Sequence, residues 1–251
     1  NRALTGSHLD PVVGARLEAL AEGTGVTVVL IRRPGHHADR PGAPQGGAGP
    51  RSVWISHVGA DPWLVRAEVA DPAELFSLDF AALGAGRRPD LGADDPDRLL
   101  LVCTNSRRDE CCALIGRPLA QTLATEHPGR VWESSHLGGH RLAPVVLSLP
   151  DGFVHGGVDA GRLGVASGRG RSALSRPAQA AELAALRELS EQRPRPLTVT
   201  ASPSGWRVAD PRSGFQAEYA VAELPREPVR KESCVKDPVS SVVYTVERMG
   251  A

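Results

Sequence analysis

The chain has 251 residues and a mass of 26.5 kDa, more than one ordinary domain of about 100–150 residues and less than two large ones. Twenty-nine Lys and Arg balance twenty-nine Asp and Glu, so no net field draws the protein to phosphate backbones or anionic lipid, and nucleic acid and membrane are set aside as partners. With 41 % hydrophobic residues and no apolar run near the roughly 20 residues of a spanning helix, the expectation is a soluble α/β protein with a buried core.

Residues 9–22 place Leu9, Val12, Val13, Leu17, Leu20 and Ala21 at helical spacing ahead of Gly23 and Gly25, which predicts a short amphipathic helix with a glycine stop. Val26 to Ile31 is a continuous aliphatic run, the pattern of a strand covered on both faces. Pro34 to Pro50 holds five Gly and four Pro and no large apolar residue, so a mobile surface loop is expected there. Strands are predicted over 52–58 and 63–69 and a helix over 72–83, and residues 84–96, rich in Gly, Pro and Asp, read as a linker. The chain thus divides into an N-terminal α/β lobe over 1–96 and a second unit over 97–251. That unit opens with a buried strand, Arg98 to Cys103, followed by a polar loop and a helix over 112–126 that Pro118 should kink or delay. A strand over 131–134 comes next, then a hairpin of 144–149 with 152–158 turned at Pro150-Asp-Gly152, and a helix over 177–189. The order strand, helix, strand, hairpin, helix is that of a thioredoxin-like unit. Beyond Leu197 short strands through Trp206, 215–221 and 239–246 form a strand-rich extension, and no internal repeat is present.

Chemistry concentrates at four residues. Cys103 ends a strand and Cys112 opens a helix nine positions later, with a polar loop between them long enough to bring two thiolates to one point. In His136-Leu-Gly-Gly-His140 two imidazoles stand four positions apart, and the glycines permit the positive φ that lets both rings converge. Two soft thiolates and two imidazoles suit zinc or an iron–sulfur centre rather than magnesium or calcium. Structural zinc draws its cysteines from a tighter knuckle, so the open spacing favours iron–sulfur over zinc, and the absence of any metal is the third alternative. Cys111 competes with Cys112 as the ligand by a one-residue slip, and Cys234 reads as a buried hydrophobe. Arg107, Arg108 and Arg141 are candidate donors near such a centre, Asp109 a candidate helix cap, and Trp132 a core residue. His8, His36, His37, His57, His127 and His155 read as surface or loop histidines, with His36 and His37 able to bind metal adventitiously.

Cys103-Thr-Asn-Ser-Arg-Arg-Asp-Glu-Cys-Cys112, then Trp132-Glu-Ser-Ser-His-Leu-Gly-Gly-His-Arg141 and Leu149-Pro-Asp-Gly152, resemble the sucrase/ferredoxin-like family, a branch of the thioredoxin-like ferredoxins. The resemblance covers most of 100–158 and extends loosely to Ile31-Arg-Arg-Pro34, Arg171-Ser-Ala-Leu174 and Glu232-Ser-Cys234. It departs at Asn105 and Ser106, where the family commonly has His and Gly, and at Leu142, where it has Phe. The family's usual N-terminal segment rich in Gly, Pro and Trp is absent, which puts the completeness of the first lobe in question. The resemblance implies a thioredoxin-like fold and a 2Fe-2S cluster with Cys103 and Cys112 on one iron and His136 and His140 on the other. The expected function is therefore a cytoplasmic one-electron carrier, proton-coupled through its histidine ligands, that exchanges electrons with a partner redox protein rather than acting as an enzyme on its own substrate. The alternatives are a zinc-stabilised Cys2His2 binding module and a thiol/disulfide oxidoreductase using Cys111-Cys112, which lacks a Cys-x-x-Cys motif.

Overall fold

A computed structural model describes residues 2–35, 49–106, 110–139, 142–158, 163–191, 194–226, 229–231 and 237–250. The expected loop through His36 and His37, the residues Arg107, Arg108, Asp109, His140 and Arg141, and Cys234 lie wholly or largely outside that set. The architecture is mixed α/β with several sheets, and no helix among the described residues is long and apolar enough to cross a membrane.

The chain begins with a single helical turn, α1 (Arg2–Thr5), against α2 (Pro11–Ala21). Asp10 caps α2 by accepting the Val12 amide at 2.7 Å, and Pro11 occupies a first-turn position where its missing N–H costs nothing. The aliphatic run that follows is a strand only at its end, β1 (Ile31–Arg32). Residues 26–30 are half-buried or exposed, because the run meets a sheet partner only at its last residues rather than threading a sheet centre. A three-stranded antiparallel sheet follows, made of β2 (Arg51–His57), β3 (Trp63–Val69) and β4 (Ala93–Asp94) in that order. The helix expected over 72–83 is instead a 3-10 segment, Pro72–Ser77, and a short α3 (Phe80–Gly84). Two competing caps divide it: the Asp71 carboxylate accepts the Ala73 amide and the Asp79 carboxylate accepts the Ala82 amide, each at 2.8 Å, so the chain starts a helix twice. Within the segment read as a linker, β4 is paired to β3, and Asp95 is bound by both terminal nitrogens of Arg130 and by the Trp54 indole.

The main sheet has six strands in the order β1-β6-β5-β7-β8-β9: β5 (Leu99–Cys103), β6 (Val131–Ser134), β7 (Val145–Leu149), β8 (Phe153–Gly156) and β9 (Gly168–Arg171), with β1 on the β6 edge. β5 and β6 run parallel and are joined through α4 (Glu110–Glu126), while the other pairings are antiparallel. Every residue of β5 is buried, since side chains alternate between two covered faces. Leu100 and Val102 pack with Leu119, Ala120 and Leu123 of α4. Leu99 and Leu101 pack with Trp132 and with Leu64 of β3 on the other side, and Trp132 is a core residue as expected. α4 passes through Pro118 as one helix and begins two residues before the expected start.

α5 (Arg176–Glu188) covers β9 and carries the C-terminal antiparallel sheet, β10 (Thr198–Ser202), β11 (Gly205–Asp210), β12 (Phe215–Pro225) and β15 (Val242–Met249), with a two-stranded ribbon of β13 (Arg230–Lys231) and β14 (Pro238–Val239) inserted between the last two. Ala181, Ala185 and Leu186 of α5 close over Val208, Ala217 and Tyr219. Inside this contact Arg171 donates from Nε to Glu182 at 2.7 Å and from Nη2 to the Leu197 carbonyl at 2.7 Å, while Glu182 accepts the Leu197 amide.

Two histidines differ from their expected surface placement. His57 is half-buried, its ring nearly parallel to Trp63 at 6.0 Å. His155, on β8, is 2 % exposed, with Nδ1 3.2 Å from the Ser167 hydroxyl. That hydroxyl donates to the Gly164 carbonyl, which leaves its oxygen to accept from Nδ1–H. Burial, helped by the charge of Arg98, pushes the imidazole down to about 4, so the folded state holds it neutral. The unfolded chain takes up this proton near the ordinary pKa of about 6.5. The resulting stabilisation is complete above that pH and is lost as pH falls towards 4, a span worth about 3 kcal/mol. His155→Gln is expected to flatten the acid limb of unfolding free energy between pH 7 and 4 in urea titrations, and an unchanged limb would refute the burial argument.

Candidate functional site

Cys103 is the last residue of β5 and Cys112 lies in the first turn of α4, and both are fully buried free thiols. They meet because α4 crosses the end of β5 at Gly116. A Cβ there would stand 2.5 Å from the Cys103 carbonyl oxygen, so only glycine lets the helix axis approach this closely. Val145, Leu137, Leu142, Ala143 and Val154 form an apolar shell around the pair.

The two thiols are hydrogen-bonded to each other. Donation from Cys112, followed by the amides of Asn105 and Leu137 and the charge of His136, overcomes burial and brings the Cys103 thiol down to about 6. The Cys112 hydrogen bond thus favours the thiolate form of the pair over the neutral thiols that burial alone would keep. Cys111, one position earlier, is only half-buried and has a contact of its own, so the inward position belongs to Cys112, as its spacing suggested.

The His136 loop reaches this pair. Gly138 and Gly139 adopt φ of +80° and +68°, the left-handed conformation expected of them. The turn closes with the Leu142 amide on the Gly139 carbonyl and the Gly157 amide on the Leu142 carbonyl. His136 is half-buried and near enough for its charge to act on Cys103, while the proposed fourth ligand, His140, is outside the described residues.

The expectation of a two-cysteine, two-histidine centre working as an electron carrier is corrected here. No group of three or more His, Cys, Asp or Glu side chains able to hold a metal ion occurs among the described residues. The alternative Cys2His2 zinc module meets the same objection. Among the described residues the sulfurs engage each other and the amides of Asn105 and Leu137, and the hydrophobic side chains packed against them supply no further ligand. The vicinal Cys111-Cys112 oxidoreductase is corrected as well, since Cys112 is a free thiol turned towards Cys103.

Sequence reasoning missed Glu133. It is 1 % exposed and accepts from Arg32 at 2.9 and 2.6 Å, from the Thr104 hydroxyl at 3.0 Å and from the Gly35 amide at 3.3 Å. Burial opposes its charge, but Arg32, Thr104 and Gly35 together hold the carboxyl below its ordinary range. It ties β1 to β6 and fixes Thr104, the residue that carries the chain away from Cys103. An acid within the otherwise buried run Val131-Trp-Glu-Ser134 was the available signal, because such a carboxylate needs a paired cation. Gly116 had a signal too, as an isolated glycine inside a helical pattern. Beyond Glu133, Arg33 lies over the Trp132 ring at 5.3 Å, and Trp132 contacts Trp54 at 4.8 Å between centroids.

The sequence model of the sucrase/ferredoxin-like family matches residues 36–166, just over half of the chain. No curated protein and no solved structure matches it.

Gly116→Ala is expected to lower the unfolding free energy by about 1–3 kcal/mol through overpacking, and to speed native-state alkylation of Cys112 by moving α4 off β5. Iodoacetamide labelling read by mass spectrometry measures the second effect, and labelling as slow as in the wild type would show that the helix does not need this approach.

Proposed function

The chain belongs to the sucrase/ferredoxin-like family, and from that membership together with the buried thiol pair we infer that Cys103 and Cys112 are the sulfur ligands of a bound cofactor, the 2Fe-2S cluster that the sequence resemblance implies. The observation that carries this is the meeting of two buried free thiols at the junction of a strand end and a helix start, in an apolar shell.

The chemistry of the donor set fits one side of such a cluster. Thiolate sulfur is the donor that iron–sulfur centres take, and hydrogen bonding holds the Cys103 thiol below its ordinary range. The ligands on the other side are not assembled by the described residues. When bound, a cluster supplies sulfur-held iron whose potential responds to hydrogen bonds on the sulfurs and to burial. The chain's own means of control are the amides of Asn105 and Leu137, which donate to Cys103, and the side chains of Val145, Leu142 and Val154, which keep water from the pair.

The scaffold that goes with this site is thioredoxin-like. Its support is the succession β5, α4, β6, the β7–β8 hairpin and α5, with β5 beside β6 on one flank and β7 on the other. In this proposal the cofactor-bearing unit spans residues 97–251, the N-terminal lobe spans 1–96, and a partner redox protein is the functional counterpart.

Protein purified anaerobically after expression with ample iron is expected to carry iron and acid-labile sulfide with visible absorption, and Cys103→Ser and Cys112→Ser are each expected to lose both. A wild-type protein that carries zinc without sulfide, or neither metal nor sulfide, would overturn the proposal.

A further inference from the structure

We propose that the chain forms a homodimer in which β15 pairs antiparallel with β15 of a second copy, about a two-fold axis at Val246. β15 is an outer strand of the C-terminal sheet, whose order is β10-β11-β12-β15. It keeps register with β12 along its whole length, Val242 to Met249, without a shift. A strand's backbone groups point to both sides, so half of those on β15 face away from β12, and among the described residues no strand takes them up. The strand contains neither Lys nor Pro and no bulge, the features that guard a sheet edge against pairing. Thr245, Glu247, Arg248 and Met249 are exposed along it, so this half of the edge is open to solvent.

The occupant follows from how the side chains of the strand match themselves. Tyr244, Val246 and Arg248 share the face that α5 covers: Val246 packs on the α5 core, and Arg248 donates to Glu188 of α5 at 2.9 Å. Val243, Thr245, Glu247 and Met249 share the other face. Residues directly opposed in a sheet share a face, so the axis must fall on a residue, and the registers that pair most of the strand centre on Thr245, Val246 or Glu247. Centring on Glu247 sets that carboxylate against its own copy. Centring on Thr245 sets Arg248 against Val242 and Glu247 against Val243, charge against hydrocarbon. With the axis at Val246 each opposed pair is compatible: the Tyr244 ring meets the Arg248 guanidinium of the copy, the Thr245 hydroxyl can donate to the Glu247 carboxylate, and Val243 meets Met249, each twice. Met249, 39 % exposed, then lies against Val243, whose neighbour on β12 is Leu224, 46 % exposed, so both gain apolar cover. A second copy supplies this matching pattern by symmetry.

The test is sedimentation equilibrium of the full chain under reducing conditions, from about 1 to about 200 μM, the range in which an interface of modest area associates. The mass is expected to rise with concentration from 26.5 kDa towards twice that value. Thr245→Glu places like charges opposite each other at two symmetric points and is expected to weaken the dimer about tenfold. Thr245→Lys faces the same Glu247 and is expected to tighten it, and Thr245→Glu combined with Glu247→Lys is expected to recover at least the wild-type affinity. Both side chains are exposed, and far-UV circular dichroism checks that the variants keep the fold; Thr245→Lys carries the test alone should Thr245→Glu fail to fold. A chain that stays monomeric throughout, which would leave the edge to a strand of another protein, overturns the proposal. So does a dimer equally tight in Thr245→Glu and Thr245→Lys, which would place its interface elsewhere.

Discussion

The thiol pair depends on one close approach, that of the α4 backbone at Gly116 to the Cys103 carbonyl. A strand end and a helix start that are neighbours in the chain do not ordinarily bring side chains nine residues apart into contact. They do so here because the helix lacks a Cβ where it crosses the strand, and because Leu119, Ala120 and Leu123 hold its following turns on Leu100 and Val102. Cys112 is then buried beside Cys103, and the Leu137 amide completes the sulfur's surroundings. Hydrogen bonding lowers the pKa of a group whose pKa burial alone would raise.

Ion pairs with a buried carboxylate mark the places where the peripheral parts of the chain join the main sheet. Glu133 with Arg32 holds β1 on the β6 edge. Arg171 with Glu182 joins β9 to α5, and both groups also bind the backbone of Leu197, at the entry to the C-terminal sheet. Arg130 with Asp95 fastens the residue after β4 to the loop leading into β6. A buried charge left alone costs several kcal/mol, so each pair penalises detachment of its segment more than it adds net stability. Glu182 illustrates the balance, since burial raises its proton affinity although Arg171 is in direct contact.

Spacing in a sequence and convergence in space are different kinds of information. The interval from Cys103 to Cys112 spans a strand end, a loop and a helix start, and in the fold the two thiols are hydrogen-bonded. The interval from His136 to His140 indicated a turn with two left-handed glycines, which is present. Neither interval could say how many donors would face one point. That number depends on how Leu137, Leu142 and Val145 pack around the sulfurs.

By itself the sequence determined the mixed α/β character, the buried run of β5, the hairpin of β7 and β8, the helix α5 and the candidacy of Cys103 and Cys112, because all of these rest on local periodicity, turn residues and short spacings. The tertiary structure alone decided that the run ending at Ile31 is an edge strand, that His155 is buried and neutral, and that Glu133 is the carboxylate pairing Arg32. The physical reason is common to these cases: burial and electrostatics depend on neighbours distant in the chain, and those neighbours are assigned only when the sheets and helices pack.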